Sequence, residues 1–167
     1  SDYLAVHPPA DADRFVANIN VDMPMTLAPT LDLIARGEEH STLGPIARAA
    51  AADHGYRLSP DPSPEQVSFI RSDQFSFIRR GVPALVIGSG YKARDKNLDL
   101  VALREEFLKS HYHRPSDEVQ LPIDYNGAAD LARVNLRVIW QVANAAAAPS
   151  WKPKDFFGSK FPNERKP

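Results

Sequence analysis

The segment Val82-Pro83-Ala84-Leu85-Val86-Ile87-Gly88 constrains the fold more than any other part of the chain. It is an unbroken apolar run closed by glycine, without the alternation of a half-solvated strand. Such a run suits a buried parallel strand covered by helices on both faces. Other strand candidates share the chain with it. In Phe15–Asp22, Phe15, Ala17, Ile19 and Val21 alternate with Asn18, Asn20 and Asp22 until Pro24 ends the run. Leu31–Ala35 is a second apolar run, and Tyr56-Arg57-Leu58 a short third candidate.

Helical signals lie between and after these runs. A short helix in the first residues is stopped by Pro8 and Pro9. Thr42 is placed to cap a helix from about Gly44 to His54, with Gly55 as its stop. Ser72 is placed to cap a helix over Asp73–Arg80, stopped by Gly81. His7 and His54 sit next to helix stops, where imidazole offsets the helix dipole. From Asn126 to about Ala147, Leu131, Val134, Val138 and Val142 form an apolar stripe, with Arg133, Arg137, Gln141 and Asn144 on the polar face. Residues 89–118 read as a long irregular polar loop, the kind that often carries function. Residues 149–167, rich in proline, aromatics and charge, read as an extended tail after a domain at 1–148. Strands alternating with helices make this an α/β chain. About four strands are few for a free-standing doubly wound domain, so a partner half is expected.

Composition narrows the chemistry. Apolar residues make up 43% of the 167 and charged residues 25%, as in a globular protein. The formal net charge is -1, with 20 basic and 21 acidic residues and no basic run, which argues against a nucleic-acid partner. No apolar stretch approaches the roughly 18 to 20 residues that span a membrane. With no cysteine, any metal must be held by His, Asp or Glu.

Several residues are candidates for function. Asp22 ends an apolar strand, where α/β sheets place ligands; it equally suits a turn before Pro24. In His111-Tyr112-His113 both imidazoles would face one side of an extended segment, and Tyr112 could donate to a developing oxyanion; a solvated surface loop fits as well. Arg71-Ser72-Asp73-Gln74-Phe75 has the character of a helix start. Glu38-Glu39-His40 suggests a metal and base cluster, but a charged loop after a strand is the simpler reading.

Taken together, the segments resemble the two-zinc aminopeptidase and glutamate carboxypeptidase family (metallopeptidase family twenty-eight), most closely its bacterial aminopeptidase branch. Val16–Met23 is similar to the strand ending in a zinc-ligand aspartate, and Gly37–Gly44 to a segment that follows it. Arg71–Phe75 with Gly81–Ala84 is similar to the substrate-pocket helix and its next strand. Tyr112-His113-Arg114-Pro115-Ser116-Asp117 is similar to the closing zinc-ligand motif. The resemblance spans roughly residues 1–147.

The resemblance implies a three-layer zinc-exopeptidase fold (phosphorylase/hydrolase-like), of which this chain would be the C-terminal portion, with a mostly parallel sheet flanked by helices. It implies that Asp22 and His113 are zinc ligands and that Tyr112 supports the tetrahedral intermediate. Arg71 and Asp73 would line the substrate pocket, and Asp117 would orient its loop. His111 has no ligand role in the pattern. The family also needs a His, a bridging Asp and a Glu-Glu pair that precede the Asp22 strand. Glu38-Glu39 follows that strand and so is not that pair. The expectation is a chain that starts just past the catalytic pair, lacks those ligands and the base, and is inactive alone. The expected partners are a peptide substrate, the missing N-terminal half and a second copy of the chain. Family habit suggests a periplasmic or secreted enzyme. Competing readings are a protein-interaction module that keeps the half-fold, and a related glutaminyl cyclase or carboxypeptidase.

Overall fold

The computed structural model describes residues 1–10, 14–24 and 26–162. A short helix α1 (Asp2–Val6) leads to strand β1 (Asn18–Asn20). Strand β2 (Asp32–Arg36), helix α2 (Leu43–Asp53) and strand β3 (Arg57–Ser59) form the next unit. Two 3-10 turns, Pro64–Gln66 and Ser68–Ile70, precede helix α3 (Gln74–Ile78) and strand β4 (Ala84–Ser89). Helices α4 (Leu100–Ser110), α5 (Tyr125–Ala143) and α6 (Phe156–Lys160) complete the chain.

The strands form one sheet in the order β1-β4-β2-β3. β4 pairs parallel with β1, Asn20 opposite Val86, and β2 pairs parallel with β3, Leu33 opposite Leu58. The apolar run at 82–88 is thus a buried strand, but it is parallel on one side only. β2 runs antiparallel to it, with Leu33 opposite Ser89 and Arg36 opposite Val86. A run of apolar side chains reports burial on both faces and carries no information on neighbour direction.

Side-chain alternation along β4 divides the molecule. Leu85 and Ile87 join Leu33 and Ala35 on the face covered by α2 and α5. There Ala47, Ala50 and Ala51 let α2 approach closely, and Leu131, Val134 and Val138 fill the space from α5, the stripe that the sequence predicts. Fully burying each such Leu or Val stabilises by about 1.5–3 kcal/mol. Val86 and Gly88 point to the opposite face, which α3 and the loops around it cover only in part.

Four local expectations differ from the structure. The first strand is confined to Asn18–Asn20; Phe15 turns away to pack edge-on to Phe77, at 5.2 Å between ring centroids. Asp73, not Ser72, stands at the N-cap of the next helix, without a side-chain cap hydrogen bond, and the Ser72 hydroxyl is used elsewhere. Thr42 stands at the N-cap of α2, but its side chain accepts from the Ser150 amide rather than from the helix. Residues 89–118 are not a single irregular loop, since α4 lies within them. Asp99 caps α4 by accepting from the Ala102 amide, and Leu100 and Phe107 are its buried contacts.

The C-terminal segment is not extended either. Its described part folds back onto the turn that precedes α2 and onto Gly81. Ser41 and Trp151 form a β-bridge, Trp151 Nε1 donates to the Gly81 carbonyl at 3.0 Å, and Asp155 caps α6. Proline and charge disguised this docking, because the partners that hold the segment lie far away in sequence.

Candidate active-site cavity

On the sheet face opposite α2 and α5 lies a cavity of about 260 Å³. Asp22, Ser72 and Gln74 form one side, Gly88 and Ser89 of β4 its floor, and Arg104 and Phe107 of α4 the other side. Asp22 reaches it from just beyond the C-terminal end of β1, as strand-end ligand groups do in α/β sheets.

A polar network orders this wall. Gln74, fully buried, donates through Nε2 to the Phe69 carbonyl at 2.7 Å and accepts from Asn20 Nδ2 at 2.9 Å. Asn20 Nδ2 also lies 3.4 Å from Ser72 Oγ, and Ser72 Oγ donates to Asp22 Oδ2 at 2.6 Å. A buried amide held at both ends cannot rotate without losing hydrogen bonds, so the network fixes the Ser72 hydroxyl and through it the Asp22 carboxylate. Asn20 and Gln74 were not singled out from sequence. Their signal was available: two amides flank the candidate residues, one inside a strand and one at the first position of an apolar helix.

The same lining holds a cation that the sequence reading also missed. Arg104 Nη1 donates to Ser89 Oγ at 3.0 Å, and its guanidinium lies 4.4 Å from the centroid of the Tyr91 ring. Arg36 also lines the cavity, but a carboxylate already engages it: Arg36 Nε donates to Asp61 Oδ2 at 2.8 Å. The cavity therefore offers a carboxylate on one wall and an aromatic-backed guanidinium on another.

The other expected site residues lie outside this lining. Arg71 is exposed, and its Nη1 reaches back 3.4 Å to the Gln66 carbonyl. Asp73 is exposed at the N-cap of α3. Tyr112 and His113 follow α4, whose residues Phe107 and Leu108 do line the cavity. The segment 111–113 is not extended, so the alternation expected to aim both imidazoles one way does not apply. The Tyr112 amide closes onto the Phe107 carbonyl, and His113 takes a left-handed backbone with φ 57°. His113 instead stacks its ring on Tyr112, 3.8 Å between centroids, while His111 Nδ1 donates to the Ser116 carbonyl at 3.0 Å.

Among the described residues, no group of three or more His, Asp or Glu side chains is placed to hold a metal ion. Asp22 and His113, the ligands that the family resemblance implies, would supply two donors, short of the three or four protein ligands usual at zinc. Among the described residues, no helix is long and apolar enough to cross a membrane.

No curated protein and no solved structure matches the chain. The family model described as Peptidase family M28 matches residues 1–139, a span that holds Asp22, the Arg71–Phe75 segment and Tyr112-His113. The chain belongs to peptidase family M28, a family of zinc-dependent peptidases.

Proposed function

We propose that these residues form one wall of a zinc aminopeptidase centre that removes N-terminal residues from peptides. Asp22 and His113 are its zinc ligands, Tyr112 supports the oxyanion, and Arg71 and Asp73 flank the peptide. Further ligands and the general base come from outside the 167 residues. When bound, zinc supplies an acidic water and polarises the scissile carbonyl. What this chain contributes is an oriented carboxylate beside a concave, half-apolar surface. The observation that carries the reading is the Ser72–Asp22 hydrogen bond at the cavity mouth, buttressed by buried Gln74. An exported enzyme, periplasmic or secreted, fits the family's habit.

Hydrolysis of leucine anilide by the full encoded protein, with zinc, tests this. Asp22→Asn and His113→Ala should each lower kcat/KM by more than about 100-fold, beyond what loss of an outer partner of a metal costs. The 167 residues alone should bind zinc weakly and show no turnover. Tight zinc binding or turnover by the pure 167-residue chain would overturn the partial-site reading.

Arg104 favours a second reading. A guanidinium held by Ser89 and Tyr91 rather than by a carboxylate suits a substrate with a free carboxylate, as a carboxypeptidase would need. N-blocked dipeptides cleaved faster than leucine anilide would favour that reading.

A further inference from the structure

Helix α5 carries a second apolar stripe besides the one that faces the sheet. Tyr125, Ala129, Ala132, Leu136, Ile139 and Ala143 follow one another at alternating steps of four and three residues. That spacing sets them in one line along the helix, the pattern by which a helix packs against a second helix. All but Ala129 are exposed: Tyr125 and Leu136 are each 63% exposed and Ile139 44%, and Trp140, at 62%, borders the line. The direction of the stripe follows from its neighbours. Leu131, Val134 and Val138 face the sheet, while Asp130 accepts from Tyr56 and Arg137 donates to Asp53 on the side of α2. At about 100° per residue, the second stripe lies on the opposite flank of α5, away from α2.

That flank is the one over the free edge of the sheet. In the order β1-β4-β2-β3, α2 packs on β2 and β3. α5 packs on β4, and Ala17 and Ile19, at and beside β1, join the same core only half-buried. Each helix thus spans two strands. Two strands occupy about 9–10 Å of sheet, and packed helices lie about 8–10 Å apart. Extending the sheet past β1 at the same spacing therefore carries the next helix against the exposed stripe. A second copy of the chain meets this requirement through one symmetry operation. A twofold axis normal to the sheet at its β1 edge sets the two β1 strands antiparallel and the two α5 helices antiparallel on one face. With the helices centred at the level of Val134, Ala132 faces the partner's Leu136, Ala129 the partner's Ile139 and Ala143 the partner's Tyr125. Every large side chain of the stripe then meets a small one, the alternation that lets helices interdigitate.

We propose that this flank is a self-association surface: two copies of the chain pair through α5 and β1 about a twofold axis, joining their four-stranded sheets into one. The stripe is self-complementary in size as well as apolar, which a surface meant for an unrelated helix has no need to be.

Sedimentation and cross-linking test the proposal. The 167-residue chain should associate to a dimer, and Leu136→Asp, at an exposed position, should weaken association by more than about tenfold while leaving the circular dichroism spectrum unchanged. The chain has no cysteine, so variants with a single thiol report the register. Oxidising a mixture of Ala129→Cys and Ile139→Cys chains should give a cross-linked dimer. Ala129→Cys alone should not, because its two thiols would lie about 15 Å apart along the paired helices. A monomer at high concentration, a dimer indifferent to Leu136→Asp, or Ala129→Cys cross-linking to itself as readily as to Ile139→Cys would overturn the proposal. So would a monomeric full encoded protein, the stripe then being taken by another part of the polypeptide.

Discussion

Ser72 Oγ donates a 2.6 Å hydrogen bond to Asp22 Oδ2, tying the start of α3 to the end of β1 across 50 residues. The hydroxyl that looks like a helix cap is spent on aiming a carboxylate. Ser72→Ala should leave the fold intact, because Asp73, not Ser72, occupies the N-cap position of α3. If Asp22 is the zinc ligand proposed above, the variant should lower kcat/KM of the zinc-loaded protein by about tenfold, through a looser Asp22. Steady-state kinetics beside the circular dichroism spectrum of the variant checks both halves. An unchanged kcat/KM would detach Asp22 from the reaction.

Burying His40 opposes its charged form, but hydrogen bonds to Glu39 and Asp155 outweigh that and raise its pKa above the ordinary 6.5. A group raised in the folded state contributes stability that is complete below about pH 6.5 and is lost as pH rises through the folded value. Glu38, raised mainly by burial, acts in the same direction but in a lower window that begins near its usual 4.5. Glu39, lowered chiefly by its hydrogen bond to His40, acts the other way, its contribution being lost only as pH falls through its own folded value. Melting temperature should therefore fall from about pH 6 to pH 8, and His40→Gln should flatten that slope. A slope unchanged in His40→Gln would show that the imidazole does not drive it.

The C-terminal segment should be integral to the fold. Trp151 crosses to Gly81, Lys152 N donates to the His40 carbonyl at 2.9 Å, and a Cβ on Gly158 would meet the Trp151 side chain. Trp151→Ala should cost about 1–3 kcal/mol, as for a half-buried aromatic that also loses a hydrogen bond. Urea denaturation measures it, and a change under about 1 kcal/mol would mean the segment is a loose appendage.

Gly37 holds φ +92° beneath Phe69, so Gly37→Ala meets both an unfavourable backbone and a collision. A loss of more than about 1 kcal/mol is expected in the same denaturation assay. By contrast, Gly55, at φ +77° with open space around it, should lose less on substitution by Ala.

Among the described residues the outer strand β1 pairs on one side only, and Val21 and Met23 beyond it are 45% and 42% exposed. An open edge beside apolar side chains invites pairing with another chain. Sedimentation at rising concentration should show self-association, which Val21→Lys should weaken. A clean monomer at high concentration would contradict this.

Much of the fold was legible because it is written in short-range periodicity. The apolar stripe of α5, the alanine-rich α2 and the glycine-closed β4 show their burial through spacing alone, and the order of the motifs marks the family. Helix α4 was legible in principle: Asp99 caps it, and Leu100 and Phe107 lie on its buried side. It was hidden by Arg104-Glu105-Glu106, whose polarity reflects a helix with only one narrow buried side.

The rest depended on contacts between distant residues. Whether β2 runs with or against β4 is set by how the connecting chain packs, and neither strand encodes it. Asp22 is recognisable as a strand-end acid, but Ser72, Asn20 and Gln74 become its support only when α3 docks beside β1. His40 reads as part of a charged loop, yet folding places Asp155 and Glu39 on its two nitrogens and Phe69 and Phe157 on its ring. Side-chain type is a local property; the partner that fixes its charge, orientation and exposure is chosen by the packing of the whole chain.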